Sequence, residues 1–597
     1  MFVSCGSASG LDVAHETSFV ARGQGRSTRH RCSAASLHRT EPVWGAAPAA
    51  QRSRRLLRRC CVSAVLPSRE DVVPLSNGKK QSSPLIGNGA SLVREVVPAS
   101  SKHAPWRAGL THFMQRVIEL EQETRPVEDD KGRRSGRDAE LMRKRFDELP
   151  EHAKTDNQIL GRITPGCEGT QGVFPRCTFG CKPCYHSEDA NRVRTDGAHT
   201  AIEVARQMQT LQDARGSHAH CQLIGGEVSL LSPEEHAQTL SVMHAFGRLP
   251  MSFSHGDFDY EYLERLALDP ATGRRRFKRL DWAVHFDRFM VGRRGIPRPN
   301  SELELMPYRA NFMSNVKKLF RQHGVRYYVA HNMTIQAGNL HEIADVIRHG
   351  KTLGFRMFSF QPAALVGDVK RWRPHAHDDA DTLERSREKE NVDDHGECVW
   401  QEIEKGAGCR LPYEVFQIGD VRCNRTCWGA FVGRDAESKY VPFLLADCKQ
   451  DLEIRDTFLR VFGSAILPLP LFVLKLARCM FRHPWTLVMF AKWCVRFVRR
   501  AGVQRMLSLS FHPVTFVMHR FMDAEVVKPA WELLQKNEMS SDPRIRETQE
   551  RLQACSYAMA HPDTGELVPA CAQHSVYDPD INKQLAELLP ITFRQDL

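Results

Sequence analysis

Three cysteines, Cys177, Cys181 and Cys184, fall within eight positions of the stretch "RCTFGCKPCYHSEDAN", residues 176–191. Gly180 and Pro183 let the backbone between them curl, so that three sulfurs can converge on one point. Two chemistries use thiolates in this way. A structural zinc site takes four ligands, usually in two separated pairs. Here three sit at tight spacing and no later Cys-x2-Cys pair completes the set. A four-iron, four-sulfur cluster held by only three thiolates keeps one iron open for a substrate or cofactor. A zinc ribbon or a group of buried structural thiols is the competing account.

Positioning such a loop needs a scaffold, and residues 156–370 supply the pattern of one. "HCQLIGG" (219–225) reads as a buried strand, and Ser232-Pro233-Glu234-Glu235 opens a helix. "PMSFSHG" (250–256), "LDWAVHFD" (280–287), "VRYYVAHNM" (325–333) and "FRMFSFQPA" (355–363) read as further strands. Helical patterns separate them, and Gly324 closes a long one. Strand–helix alternation of this kind means parallel β/α units, an α/β fold. Ligands in such folds sit at the carboxyl ends of the strands. That rule points to Gly225-Gly226-Glu227, His255-Gly256-Asp257, Asp287, Asn332 and Gln361. For Asp287 and Asn332 a loop-capping role is the alternative.

The cysteine segment resembles the cluster motif of the radical S-adenosylmethionine (SAM) superfamily, and "LIGGEVSLL" resembles the superfamily's Gly-Gly-Glu motif at the end of the next strand. The resemblance covers roughly residues 160–370. It implies a partial (β/α)6 barrel and a [4Fe–4S] cluster on Cys177, Cys181 and Cys184, whose open iron chelates SAM. It also implies that Gly225 and Gly226 give the backbone room to approach and that Glu227 helps to hold the SAM amino group. Pro183 stands where members of the superfamily often carry an aromatic residue against adenine, and Tyr185 is the candidate for that role. Asp287 and Asn332 are candidates for ribose contact from position alone. The implied reaction is reductive cleavage of SAM followed by hydrogen abstraction from an unactivated carbon.

Further cysteines lie beyond the core: Cys423 and Cys427 in "RCNRTCWG", and Cys555 and Cys571 around "SYAMAHPDTGELVPA". The Pro-Asp-Thr-Gly turn predicts a hairpin that brings Cys555 and Cys571 together. Cys423, Cys555 and Cys571 are therefore candidates for an auxiliary iron–sulfur site, with ordinary buried thiols as the alternative. The carboxy-terminal layout resembles the radical SAM group that contains the archaeal pterin dimethyltransferases and tetraether lipid synthases. That resemblance implies methyl transfer or carbon–carbon coupling on a lipid-like or pterin substrate. A peptide-modifying radical enzyme with auxiliary clusters, and a zinc- or iron-stabilised binding protein without turnover, are the other readings.

The rest of the 597-residue chain sets the context. Its size allows a large core without disulfide staples, and 18 scattered cysteines fit a reducing compartment. Residues 1–69 hold eleven arginines and three acids, so most of the +12 net charge lies there. The remaining excess is too small to argue for nucleic acid. Arg-rich, Ser-rich and acid-poor is transit-peptide composition, which places the chain in an organelle, a plastid before a mitochondrion. A cytoplasmic, disordered tail is the alternative. The expected organisation is a leader over 1–65, a linker with helices over 66–155 and the core barrel over 156–370. A polar insertion and cysteine-containing segment follows over 371–456, an apolar and basic helical segment over 457–525 and a cysteine-containing domain over 526–597, so that the chain ends in an α+β region. The apolar run 461–474 is too short to span a bilayer and is broken by Pro468 and Pro470. It reads as core or as an interfacial segment, which admits membrane-surface contact and a lipid-like substrate. The radical SAM resemblance also implies a low-potential electron donor such as ferredoxin or flavodoxin.

Overall fold

The structure is a computed structural model that describes residues 167–591, apart from 182–183, 187, 216–219, 367–395, 417–418, 435–437, 463–468, 556 and 562–564. The expectations for the leader and linker over 1–155, and for residues 371–395 of the polar insertion, lie outside the described residues.

Among the described residues, eleven strands form one sheet. In chain order they are β1 (Glu168–Gly169), β3 (His220–Leu223), β4 (Leu249–Ser254), β5 (Arg279–His285), β7 (Arg326–Ile335), β8 (Met357–Pro362), β9 (Asn424–Val432), β10 (Lys439–Pro442), β11 (Phe511–His519), β12 (Ala558–Ala560) and β13 (Leu567–Pro569). Two more short strands, β2 (Gly180–Cys181) and β6 (Met290–Val291), pair with each other. Strands β1, β3, β4, β5, β7 and β8 lie side by side in chain order and are all parallel. The helices between them are α1 (Gly197–Arg215), α2 (Pro233–Ala245), α3 (Tyr260–Ala267), α4 (Met306–His323) and α5 (Ile343–Gly350). Parallel neighbours in sequence order require every crossover to run in the same sense, and right-handed crossovers then stack the helices on one face.

The local signals that start and stop these helices are visible. Ser232 and Glu235 cap the start of α2 reciprocally, with Pro233 at its first position. Gly324 ends α4 at φ 67°, a left-handed conformation that glycine adopts without strain. Alternate strand residues then separate two environments. In β7, Val329, Met333 and Ile335 pack into the main hydrophobic core, whereas Tyr328, Ala330, Asn332 and Thr334 line a cavity. A parallel strand covered on both faces by packed elements should be apolar throughout. Tyr328, Asn332 and Thr334 on that side therefore mark a face turned toward space for a ligand.

After β8 the chain passes through α6 (Glu397–Ala407) and adds strands to both edges of the sheet. Strand β11 pairs in parallel with β8 and carries β9 and β10 antiparallel beyond it. At the opposite edge, β12 pairs in parallel with β1 and turns back as β13. Between β10 and β11 lie α7 (Lys449–Phe462), α8 (Leu469–Arg482) and α9 (Trp485–Ala501). The chain closes with α10 (Ala524–Gln535), α11 (Pro543–Gln553) and α12 (Asp578–Leu588). Among the described residues, no helix is long and apolar enough to cross a membrane.

Candidate cluster and ligand site

The three cysteines lie on the loop between β1 and α1, and three strand ends hold that loop. At the end of β3, the Gly226 N–H donates to the Phe174 carbonyl at 2.7 Å, and the Glu227 N–H donates to the Arg176 carbonyl at 2.9 Å. A Cβ at Gly226 would overlap the carbonyl oxygens of Pro175 and Arg176, and one at Gly225 would overlap the Phe174 ring. Only residues without side chains let the two backbones lie this close. At the end of β4, Phe179 of the loop stacks on His255, with ring centroids 3.9 Å apart. Thr178 Oγ1 lies 3.2 Å from His255 Nε2. Beyond β5, the β2–β6 pair sets Cys181 opposite Met290, and Arg293 lies over the rings of Phe179 and Phe286.

Glu227 is 1 % exposed and ties these supports together. Its carboxylate accepts from the Ser229 N–H at 3.0 Å, the Ser254 hydroxyl at 2.7 Å and the His255 N–H at 2.9 Å. Its backbone holds the cysteine loop while its side chain holds the end of β4. The His255 ring accepts the Asp257 N–H at Nδ1, at 3.0 Å, so a neutral ring carries its proton on Nε2, toward Thr178 and Glu227. Burial keeps that ring neutral by lowering its pKa.

Cys177, Cys181 and Cys184 line a single cavity of about 570 Å³ together with Tyr185, Gly225, Gly226, Glu227, Asp287 and Asn332. The three thiols are partly buried. Among the described residues, no three His, Cys, Asp or Glu side chains are drawn together as a ready-made metal site. Tyr185 donates its hydroxyl to the Gly225 carbonyl at 2.8 Å, and its ring lies against His186 and His574. Burial, then Cys184, Asp578 and the other two loop cysteines, push its phenol well above the usual range.

Asp287 and Asn332 occupy different situations. Asp287 caps the turn after β5, accepting from the N–H groups of Phe289 and Thr334, and lies 2.7 Å from His285 Nε2. Burial works against its charge, but the His285 contact and those N–H groups hold its pKa below the ordinary value. Asn332 is 3 % exposed and lines the cavity, yet its amide Nδ2 meets no hydrogen-bond acceptor. A buried donor without an acceptor costs about 1–3 kcal/mol, so this nitrogen points to an acceptor that a ligand brings.

The other cysteine set faces the same cavity. Cys423, Cys555 and Cys571 all line it. The β12–β13 hairpin pairs Ala558 with Pro569, which brings the flanking Cys555 and Cys571 to its open end. Arg551 donates from Nε to Cys423 Sγ at 3.1 Å. Burial, then Cys555 and Cys423, push the Cys571 thiol strongly upward. Cys427 points away into the main core.

Some of the site was not foreseen in the sequence. The Phe179–His255 stack and Arg293 lie between positions that the strand-end rule marks, but nothing in their spacing announces a stack. His574 sits in a π-helical turn over Gln573–Tyr577, with Nδ1 2.6 Å from Asp578 Oδ2. Such turns collect at functional sites. His331 faces away from the cavity and accepts the Arg309 Nε–H at 2.9 Å, which makes it structural.

The donor set, the glycine cradle and the unpaired Asn332 amide fit a three-thiolate cluster with a polar organic ligand beside it. No family model and no curated protein matches the chain. Several solved structures do. Streptococcus suis SuiB bound to S-adenosylmethionine aligns over 39% of this chain and 48% of its own, at 11% identity and a TM-score of 0.25. Native anSMEcpe with bound AdoMet aligns over 32% of this chain and 50% of its own, at 12% identity and a TM-score of 0.23. SuiB bound to its precursor peptide SuiA gives 47% and 58%, at 13% identity and a TM-score of 0.25. The chain spans about half the length of these structures. Overlap at these scores carries no weight for the chemistry, which rests on the residues themselves.

Proposed function

We propose that the chain is a radical SAM enzyme that abstracts hydrogen from an unactivated carbon of a largely apolar substrate. The observation that carries this reading is the meeting, in one cavity, of Cys177, Cys181 and Cys184 with the Gly225-Gly226-Glu227 strand end and the unpaired Asn332 amide. When bound, a [4Fe–4S] cluster on those three thiolates, with SAM at its open iron and an electron from a low-potential donor such as ferredoxin or flavodoxin, supplies the radical chemistry. Six parallel strands wound in chain order are the arrangement a partial (β/α)6 barrel needs.

The chain's own residues do the positioning. Gly225 and Gly226 let the β3 end lie flat against the loop, and Tyr185 ties the loop to the Gly225 carbonyl. Asn332 offers an N–H to a ribose or carboxylate oxygen, the kind of acceptor SAM carries. Glu227 holds the ends of β3 and β4 at fixed distance through bonds it already makes. It then acts on the SAM amino group as a neighbouring negative charge as much as a direct partner. Away from the cysteine loop, Phe416, Trp428, Phe443, Phe511 and Val514 line the cavity. These walls exclude water and favour an isoprenoid or acyl chain over a polar pterin. Cys423, Cys555 and Cys571 are placed by the same reading as ligands of an auxiliary cluster facing that cavity.

Anaerobic reconstitution followed by iron and sulfide counting tests both metal assignments. The wild-type chain is expected to hold more iron than Cys555→Ala/Cys571→Ala, and that variant to retain the cluster that Cys181→Ala loses. A zinc-loaded, colourless protein that takes up no iron would end the radical reading.

A further inference from the structure

We infer that the helix pair α8–α9 is a membrane-docking device that seats the protein on an anionic lipid surface without crossing it. Helices α8 and α9 are joined by His483 and Pro484 alone and pack against each other. From Val473 to Lys492 no described residue is buried, although both helices also touch α7. The side chains over this length are those that a soluble surface avoids. Phe481 is 91 % exposed and Trp485 63 %, and Leu487, Val488 and Phe490 are exposed beside them. An exposed apolar surface of this extent marks an interaction site.

Charge identifies the partner. Residues 457–522 contain ten Lys or Arg and no Asp or Glu. Arg496 and Arg500 are taken up at the root of α9, where both clamp Asp451. Arg482, Lys492 and Arg499 are exposed among the apolar residues, and Lys492 lies over the Trp485 ring. Aromatic and branched apolar side chains mixed with cations that reach to the headgroups are the composition of an interfacial helix. Helix α8 has 14 residues and α9 has 17. At about 1.5 Å per residue each is roughly 20–25 Å long, shorter than the ~30 Å hydrocarbon core. The pair therefore lies in one leaflet. A second protein is the weaker match, since an apolar protein interface is depleted in lysine.

The root of the pair also adjoins the cavity. Trp493 donates its ring N–H to the Phe443 carbonyl at 2.8 Å, and the Phe443 ring packs against Phe497 while lining the cavity. This bears on substrate delivery only if the proposed function holds. Docking itself is read without any cofactor.

The test is co-sedimentation of the full-length chain with vesicles. Wild type is expected to pellet with phosphatidylglycerol-rich vesicles, weakly with phosphatidylcholine alone, and less as salt is raised. Phe481→Asp/Trp485→Asp should lower partitioning at least about tenfold, and Arg482→Glu/Arg499→Glu should lower it on anionic vesicles only. Leu588→Asp, exposed elsewhere, should leave it unchanged. All four side chains changed in the two double variants are exposed, and thermal melts check that each variant folds. The proposal is overturned if wild type stays in the supernatant, or if the double variants pellet as wild type does. It is also overturned if those variants abolish self-association while wild type ignores lipid, which would make a second copy the occupant.

Discussion

Substituting Gly226 with alanine is the sharpest test of how the cysteine loop is held. A Cβ there would lie closer than 3.0 Å to the Pro175 and Arg176 carbonyl oxygens and to the Arg176 carbonyl carbon. All three are backbone atoms, so no side chain can swing aside. Restoring ordinary contact means separating two backbones by roughly 1 Å. That breaks or stretches the Gly226-to-Phe174 and Glu227-to-Arg176 hydrogen bonds. Each is worth about 1 kcal/mol net, and more if a buried group is left unpaired. We expect Gly226→Ala to lose about 3 kcal/mol, a large share of the roughly 5–15 kcal/mol that holds a folded chain. Gly225→Ala should cost less, because it meets one backbone atom, the Phe174 carbonyl oxygen at 2.9 Å, and otherwise Phe174 ring carbons rather than three backbone atoms. Gly338→Ala, whose Cβ would meet only the Phe289 ring at 3.6 Å, should be near neutral. Urea denaturation reads the order, and iron per chain after anaerobic reconstitution reads the loop. A Gly226→Ala protein that unfolds at the wild-type midpoint and takes up wild-type iron would refute the reasoning.

Three further outcomes are expected. Glu227→Gln sets an amide NH2 against donors where the carboxylate now accepts three, and should cost about 2–3 kcal/mol by denaturation; an unchanged midpoint would show that those bonds are dispensable. Asn332→Leu should leave stability within about 1 kcal/mol or improve it, because the Nδ2 has no acceptor to lose, yet weaken SAM binding about tenfold; calorimetry that finds wild-type affinity would remove Asn332 from the ligand site. Acid should weaken the fold through buried histidines. Burial pushes His236 down to about 3, and burial with Arg279 pushes His220 to about 4. Unfolded histidine protonates near pH 6.5, so the stability these neutral rings contribute is complete above about 6.5 and is lost as pH falls toward 4 and below. His236→Gln should flatten that part of the stability–pH curve, and a slope unchanged by the substitution would contradict it.

The parallel strands were legible because each is a short apolar run set between helical patterns with clear stop signals, such as Ser232-Pro233 and Gly324. The cysteine loop was legible as a loop because Gly180 and Pro183 interrupt any regular pattern around the three thiols. The long-range closure of the sheet was not. Strand β11 joins β8 across about 150 residues, and β12 joins β1 across nearly 390. Periodicity describes a strand but not its partner: β9, β10 and β11 supply one flank of the sheet, and β12 and β13, far along the chain, supply the other. The role of Glu227 was also only partly legible. Its position at the strand end was clear, but the three donors around it come from Ser229, Ser254 and His255, which only the fold brings together. The apolar run 461–474 could be core or interface by composition, and nearly all of it lies outside the residues whose side chains are described; the exposed length is the one that follows, from Val473 to Lys492.

The most direct measurement is 5′-deoxyadenosine by mass spectrometry, from anaerobically reconstituted protein given dithionite and SAM. The account predicts that wild type forms it and that Cys181→Ala, with the same fold by circular dichroism, forms none. A fully reconstituted wild type that binds SAM yet yields no 5′-deoxyadenosine, with or without a lipid extract as substrate, would contradict the central claim.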